Sequence, residues 1–317
     1  MGFLETTKNV AKGLVLTGAL GVAGLAGCRD RSESNGPQQD NSFMKGVVLT
    51  SWWNDQYEKP VVDKTLDRLD SLGVDSIAVL ATWYQKDLQS VDIRPSNSRT
   101  PSDRGVERVI GKAHSRGMRA VLKPHVDLEN GKWRGRIAYK SDLDWTRWFD
   151  SYSDFITHYA AMAQNNGVDM LVIGTELDGT IRRKEWKEIV RRVKNIYSGE
   201  LVYGANHDTF KKVPWEDLDR VSIGISAYWK KDKFESNAQE ARALARKLGR
   251  RLYMSEVGYP GRGEEGEAAQ EAYFRQVFDS SKGFDGMFFW NTNFDGRDMK
   301  GYGFLGKKSE AVIDANF

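Results

Sequence analysis

The chain has 317 residues, of which 40% are hydrophobic and 29% are charged, so it can bury a sizeable core and global disorder is excluded. Its 47 Lys and Arg residues nearly balance its 44 Asp and Glu residues. This balance argues against a dedicated nucleic-acid-binding protein, which usually carries a basic stripe, and we expect no nucleic-acid partner.

The first 28 residues resemble a bacterial lipoprotein signal peptide. Lys8 and Lys12 precede an apolar run over residues 14–27, and this run is too short to span a bilayer comfortably. It ends in Leu25-Ala26-Gly27-Cys28, which resembles the lipobox, where the cysteine receives lipid and becomes the mature N-terminus. We therefore predict lipidation of Cys28, the single cysteine, and a location in the cell envelope, anchored to a membrane. An ordinary signal peptide that contains a cysteine is the alternative.

Residues 29–43 are rich in Ser, Asn, Gln, Asp and Gly and contain Pro37. Such a segment buries too little apolar surface to order itself, so it is interpreted as a flexible tether. The sequence thus predicts three parts: a signal peptide over 1–28, the tether over 29–43 and one folded domain over 44–317, which we expect to be monomeric.

From Lys45 onward one unit recurs: an apolar, β-branched run, a polar loop, an amphipathic helix and a glycine. Glycine suits the position directly after a helix because the residue there often needs a left-handed backbone. The predicted strands are 45–51, 74–80, 118–124, 168–175, 201–206, 221–227, 251–257 and 285–290. The predicted helices are 59–72, 103–116, 146–165, 183–198, 236–248 and 265–281, with a short element at 214–219 and a last helix after Lys307.

Eight apolar strands that alternate with helices are typical of a parallel sheet covered by helices. A doubly wound sheet uses the same unit, but eight units over this length favour a closed (β/α)8 barrel, that is, a TIM barrel.

In such a barrel the chemistry collects at the carboxyl ends of the strands. Aromatic side chains, carboxylates, amides and histidines follow the predicted strands at these ends, as a carbohydrate site requires for stacking on sugar rings and bonding hydroxyl groups. The set comprises Trp52, Trp53, Asn54, Trp83, Tyr84, Lys123, His125, Asp127, Thr175, Glu176, Asp178, Asn206, His207, Asp208, Tyr228, Trp229, Glu256, Tyr259, Trp290 and Asn291, with Asn293 and Asp295 just beyond. The alternative for any one tryptophan is that it plugs the barrel end.

Glu176 and Glu256 end the fourth and seventh predicted strands. Glycoside cleavage requires two carboxyl groups that flank the bond, and in a retaining enzyme one is the nucleophile and the other the acid and then the base. Because strands 4 and 7 lie across a barrel from each other, the two carboxylates can face one another over its mouth. A structural ion pair with Lys123 or an arginine is the alternative for either glutamate alone.

The other candidate residues have substrate-binding roles in this hypothesis. Lys123, His125 and Asn206 are placed to bond hydroxyl groups or to orient a carboxylate, Tyr228 to hydrogen-bond Glu256, and Trp290 to form the floor under the sugar ring. The candidate stacking surfaces are Trp52, Trp53, Trp83, Tyr84, Trp133, Trp229 and Trp290, and the loop from Asp127 to Trp145 is expected to shape one end of the cleft. His207 and Asp208 are weak evidence for a metal, so no metal or cofactor is expected.

Four segments together resemble glycoside hydrolase family 113: Lys123-Pro124-His125, Gly174-Thr175-Glu176, Ser255-Glu256-Val257-Gly258-Tyr259 and Phe288-Phe289-Trp290. The resemblance runs over residues 45–305. It implies a retaining barrel enzyme with endo-β-1,4-mannanase activity, Glu176 as acid/base and Glu256 as nucleophile. The wider clan has Asn before its acid/base, where this chain has Thr175, so the contact to the sugar 2-hydroxyl is unassigned and Asn206 or His125 could supply it.

Three other functions fit parts of the pattern. A non-catalytic glycan-binding surface lipoprotein would keep the aromatic residues but has no need of two facing carboxylates. A barrel that serves as a structural module of the envelope predicts a plugged mouth, and a metal-dependent hydrolase predicts loss of activity with a chelator. Another β-linked glucan or a short oligosaccharide also stays open as the substrate, beside the β-mannan.

Overall fold

A computed structural model describes residues 42–292, 294 and 301–317. Its eight strands β1–β8 are Met44–Leu49, Ser76–Gln85, Arg119–Leu128, Met170–Thr175, Glu200–Asn206, Ser222–Ser226, Leu252–Val257 and Gly286–Thr292. Its helices α1–α7 are Val61–Ser71, Asp103–His114, Asp142–Asn165, Trp186–Ile196, Phe234–Leu248, Gly263–Asp279 and Lys308–Asn316. Every predicted strand is present, within a few residues of its predicted bounds. Cys28, the signal peptide and almost all of the tether lie outside the described residues.

The strands form one closed parallel barrel in chain order, and β8 pairs with β1 to close it. The (β/α)8 prediction is confirmed. Between β5 and β6 the chain uses two short 3-10 helices, Phe210–Lys212 and Trp215–Asp217, where the other units have an α-helix. The sequence predicted a short element at 214–219, close to the second of these.

The apolar residues divide between two cores, because side chains alternate between the two faces of a strand. One face fills the inside of the barrel and the other packs under the helices. In β3, for example, Val121 belongs to the inner core and Leu122 to the outer one. The inner core comprises Met44, Val48, Ala78, Leu80, Val121, Met170, Val172, Val202, Tyr253 and Phe288.

Capping residues mark the ends of two of the helices. The Ser102 hydroxyl accepts a hydrogen bond from Gly105 N at the start of α2, and Gly249 ends α5 with a left-handed φ of 61°. Within the described part of the chain, no helix has the length and apolar character needed to cross a membrane.

Two paired glycines lie where the barrel interior is tightly packed. Gly204 on β5 and Gly224 on β6 are register partners, and both are buried. A Cβ atom on Gly224 would lie 2.8 Å from Val202 Cγ1 and 3.0 Å from Ser255 Cβ, which is closer than ordinary packing allows. The position therefore requires glycine for lack of room, at a φ that other residues also adopt.

We expect Gly224→Ala to lower the free energy of unfolding by about 1–3 kcal/mol, because the added methyl group overpacks the barrel interior. The matched control is Gly111→Ala in the exposed face of α2, where a Cβ would meet nothing within 4 Å. That substitution should stabilise the protein by roughly 0.5–1 kcal/mol, since alanine is the better helix former. Urea unfolding of the three proteins measures both effects, and a neutral Gly224→Ala would contradict the tight packing.

Candidate active site

Glu176 and Glu256 lie at the carboxyl ends of β4 and β7, as predicted. The side chain of Glu256 is 6% exposed and that of Glu176 is 12% exposed, so both are largely withdrawn from water. Glu176 directly follows β4 and has a φ of 53°, a left-handed conformation that is uncommon outside glycine. Its backbone N–H donates to the carbonyl of Gly204 at 2.8 Å. Such strained residues cluster at functional sites.

Glu256 is surrounded by groups that favour its charged form. Lys123 Nζ lies 3.1 Å from Oε1, and His125 Nε2 lies 3.4 Å from the same oxygen, as a close polar contact without full hydrogen-bond alignment. The Tyr228 hydroxyl donates to Oε2 at 3.1 Å. Although burial alone would raise the pKa of Glu256, the charge of Lys123, the contact of His125 and the charge of Arg134 hold it well below its usual range. Glu256 is therefore a carboxylate throughout the ordinary pH range.

Tyr228 stays protonated beside this carboxylate. Burial raises the pKa of its phenol well above the ordinary value, and the negative charges of Glu256 and Glu176 raise it further. Its hydroxyl therefore remains a hydrogen-bond donor to Glu256.

His125 is neutral in this setting. Its side chain is 1% exposed, and burial together with the charge of Arg134 lowers its pKa to about 4. Its ring stacks on Trp290, with centroids 6.2 Å apart and planes within 7°. Trp290 also packs on the inner core, and a cis peptide bond joins it to Asn291.

Glu176 accepts hydrogen bonds from three donors, which are an indole, a guanidinium and an amide. The indole N–H of Trp133 donates to Oε2 at 3.2 Å, Arg134 Nη1 donates to the same oxygen at 3.4 Å, and Asn206 Nδ2 donates to Oε1 at 3.5 Å. Trp133 is 41% exposed, so Glu176 lies next to a side chain at the protein surface.

The structure brings together Glu176, Glu256, Lys123, His125, Asn206, Tyr228 and Trp290 among the predicted site residues. Trp52 is half-buried and packs on the inner core together with Trp290. Trp53 is half-buried in the loop after β1, where its carbonyl accepts hydrogen bonds from Ser51 Oγ and Gln56 N. Stacking of a sugar ring on Trp52 or Trp53 stays a prediction.

Trp83 and Trp229 lie elsewhere, and their prediction as sugar platforms is corrected. Trp83 points out of the barrel, where its ring contacts Phe155, His158 and Tyr159 of α3. Trp229 is 2% exposed, and its indole N–H donates to the carbonyl of His207 at 3.1 Å. Both rings are used to pack helices against the barrel.

Arg134 is the site residue that the sequence reasoning missed. It lies in a short 3-10 helix, Arg134–Arg136, within the loop that was expected to shape the cleft, and it contacts both Glu176 and His125. Its one sequence signal is an arginine close after the Asp127 strand end, and Arg134 Nη2 does lie 2.8 Å from that carboxylate.

His207 and Asp208 contact each other, with His207 Nε2 at 3.2 Å from Asp208 Oδ2. Among the residues that the structure describes, no group of three or more His, Cys, Asp or Glu side chains is arranged to hold a metal ion.

A parallel barrel with two largely buried carboxylates at its mouth, each on a different strand end, is the arrangement of a glycoside hydrolase. Residues 49–295 match the model of Glycoside Hydrolase Family 113, so the chain belongs to that family and is a glycoside hydrolase.

Solved structures of that family have the same fold. The chain is similar to a GH113 β-mannanase from Alicyclobacillus acidocaldarius, solved in complex with ManMIm, at 24% identity and a TM-score of 0.81 over 87% of this chain and 97% of that one. A second GH113 β-1,4-mannanase is 23% identical, with a TM-score of 0.80 over 87% and 98%. The endo-1,4-β-mannanase of Rhizomucor miehei is 12% identical, with a TM-score of 0.60 over 87% and 93%. No curated protein matches the chain.

We expect the buried, neutral His125 to make stability depend on pH. The unfolded chain binds a proton at this histidine below about pH 6.5, whereas the folded protein does so only near its pKa of about 4. The unfolded state therefore holds more protons between these values, and the histidine lowers the free energy of unfolding by up to about 3 kcal/mol as the pH falls from 6.5 to 4.

His125→Gln should remove this part of the slope in urea unfolding measured from pH 7 to pH 4. His114→Gln, at the end of α2, is the control for losing an imidazole elsewhere. An unchanged slope in His125→Gln would show that the histidine is not held neutral.

Proposed function

We propose that the protein is a retaining endo-β-1,4-mannanase in which Glu256 is the nucleophile and Glu176 the acid/base. One observation carries the assignment, namely the unequal surroundings of the two carboxylates. Lys123 and Tyr228 keep Glu256 buried and charged, as a nucleophile must be. Glu176 is contacted by the indole N–H of the exposed Trp133, by the Asn206 amide and, at 3.4 Å, by Arg134, and we expect a leaving group and later a water molecule to reach it from the side of Trp133.

The reaction is a double displacement. Glu176 gives its proton to the glycosidic oxygen while Glu256 attacks the anomeric carbon, and a glycosyl-enzyme ester forms. Glu176, now a carboxylate, takes a proton from water, which attacks the same carbon and releases the sugar with retained configuration. Trp290, stacked on His125 beside the nucleophile, is placed to form the floor of the subsite for the sugar ring that is cleaved.

The substrate proposal rests on the family and on the half-exposed aromatic side chains. The similar family members are a β-1,4-mannanase and a β-mannanase, and Trp52, Trp53, Trp133 and Trp290 offer aromatic surfaces around the mouth. A polymer chain of sugar rings can use several such surfaces, whereas a single small ligand would use one or two.

Asn206 is our proposed contact for the sugar 2-hydroxyl. His125 Nδ1 is in contact with Arg134, and its Nε2 is directed at Glu256 Oε1 at 3.4 Å, away from Thr175 on β4. Asn206 Nδ2 carries two hydrogens, of which one is directed at Glu176, and it lies on the neighbouring strand β5. It therefore has a donor left for substrate on the side where Thr175 replaces the usual amide.

Replacing either glutamate should strongly lower the turnover of β-mannan, for a different reason in each case. Glu256→Ala removes the attacking atom, and we expect a loss of at least about 1,000-fold on every substrate. Glu176→Ala should lose about 100- to 10,000-fold on mannan but much less on an aryl β-mannoside with a dinitrophenyl leaving group, since that group leaves without a proton.

Added azide should restore Glu176→Ala and yield a β-configured glycosyl azide, which reports both the acid/base role and retention. Glu216→Ala, at an exposed position between β5 and β6, is the matched control and should retain full activity. Reducing-sugar release from β-mannan, glucomannan and xylan, with sizing of the products, tests the substrate and the endo mode. Binding without release would favour the glycan-binding lipoprotein instead.

We further propose that Cys28 is lipidated and tethers a monomeric enzyme to a membrane of the cell envelope. The support is the sequence Leu25-Ala26-Gly27-Cys28 after an apolar run, in a chain with no other cysteine, followed by a polar segment before β1.

Cys28→Ala should move the protein from the membrane fraction to the soluble fraction when the full chain is expressed in a bacterium. Mass spectrometry of the mature N-terminal peptide should show an acylated Cys28 in the wild type. A wild-type peptide that begins at another residue, or an unmodified Cys28, would refute the anchor and leave the barrel's chemistry untouched.

A further inference from the structure

The loop after β3 is joined to the loop after β4 by backbone contacts that leave no room for side chains. Gly179 N donates to the carbonyl of Gly135 at 3.0 Å, and a Cβ atom on Gly179 would overlap the carbonyl oxygen of Ile137. Gly179 lies three residues after Glu176 on the same loop. The short helix that begins at Arg134 is therefore fixed next to the proposed acid/base.

Arg134 uses its donors on four partners. Its Nε donates to the carbonyl of Val126 at 2.9 Å, and its Nη2 lies 2.8 Å from Asp127 Oδ1. Nη2 also contacts His125 Nδ1 at 3.2 Å, while Nη1 contacts Glu176 Oε2 at 3.4 Å. The side chain is only 14% exposed. Burial lowers the pKa of its guanidinium, but the charges of Asp127 and the two glutamates outweigh this and keep it protonated.

The contact with His125 determines where the imidazole carries its proton. A guanidinium has donors and no acceptor, so His125 Nδ1 must accept and cannot carry a hydrogen. The neutral ring then has its single proton on Nε2, and Nε2 faces Glu256 Oε1 at 3.4 Å. Arg134 thus acts on the nucleophile through the tautomer of a histidine and on the acid/base by direct contact.

We propose that Arg134 is the positioning residue of this active site, which orients Glu176 for proton transfer and fixes His125 in the Nε2–H tautomer that faces Glu256. The proposal rests on the proposed function for the roles of the two glutamates. Arg134 is not placed against the sugar in this scheme, and it acts through Glu176 and His125, whose side chains it contacts.

The two contacts match the movement of charge in the first chemical step. Before the step Glu256 carries the negative charge and Glu176 carries a proton. In the step the proton passes from Glu176 to the glycosidic oxygen, the bond to the leaving group breaks, and Glu256 forms an ester bond to the anomeric carbon. The negative charge has then moved to Glu176, whose Oε2 faces the fixed cation of Arg134. A preorganised charge at the place where charge develops stabilises the transition state.

The tautomer is tested by nitrogen NMR of the imidazole rings. Long-range proton–nitrogen spectra distinguish Nδ1–H from Nε2–H, and loss of one signal set in His125→Gln assigns the resonance. We expect the Nε2–H form in the wild type and in Arg136→Met, which changes an exposed residue on the same turn. Arg134→Met should populate the Nδ1–H form. A wild-type Nδ1–H form, or a tautomer unchanged in Arg134→Met, would overturn the proposal.

The effect on Glu176 is tested with two aryl β-mannobiosides. Phenyl departs only with a proton, whereas dinitrophenyl departs without one. We expect Arg134→Met to lower kcat/KM about 100-fold for the phenyl substrate and less than about 10-fold for the dinitrophenyl one, because a misplaced acid affects only the first. Arg136→Met should change neither. Equal losses on both substrates would indicate a general structural role and refute the proposal.

The two readouts separate the proposals from each other. A wild-type protein that cleaves no β-mannoside contradicts the proposed substrate, while the NMR result still decides whether Arg134 sets the tautomer. An active wild type whose Arg134→Met variant keeps its tautomer and its leaving-group dependence contradicts the positioning role alone. Thermal unfolding of each variant shows that it is folded before it is measured.

Discussion

The contact between Lys123 and Glu256 is the constraint on which the barrel mouth depends. Their side chains are 1% and 6% exposed, and a charge withdrawn from water costs several kcal/mol unless an opposite charge lies beside it. Lys123 comes from β3 and Glu256 from β7, so the pair can exist only in a closed barrel that brings these strands to one space. Neither residue could be neutralised by an apolar substitution without leaving the other unmatched.

The other groups around Glu256, the proposed nucleophile, are consistent with this one buried cation. His125 need not carry a second positive charge, and its flat neutral ring can stack on Trp290. Tyr228 keeps its proton and donates a hydrogen bond to the carboxylate. The second buried cation, Arg134, has its own counter-ion in Asp127 and lies on the side of Glu176. Each glutamate therefore has a cation beside it, and in the proposed reaction one negative charge moves from Glu256 to Glu176.

The fold and the carboxylate pair were predictable from the sequence because both depend on short-range periodicity. Eight apolar runs and the glycines after the helices determine the barrel, and a glutamate at a strand end must reach its mouth. The prediction for Trp83 was wrong because position along a strand does not settle which face a side chain takes. Its neighbours Ile77, Val79 and Ala81 share its alternation and pack under the helices. Arg134 was missed because a loop conformation depends on contacts distant in sequence, here the approach of Gly179.

The left-handed backbone at Glu176, the proposed acid, is an unfavourable conformation for a residue with a side chain. Such a φ costs a non-glycine residue about 1–3 kcal/mol, and glycine or asparagine would relieve most of that strain. In a related protein that no longer cleaved glycans, replacing this glutamate by glycine or asparagine would thus increase the free energy of unfolding. Position 176 holds a glutamate although its backbone conformation favours glycine or asparagine, as expected of a residue that is retained for the chemistry of its side chain.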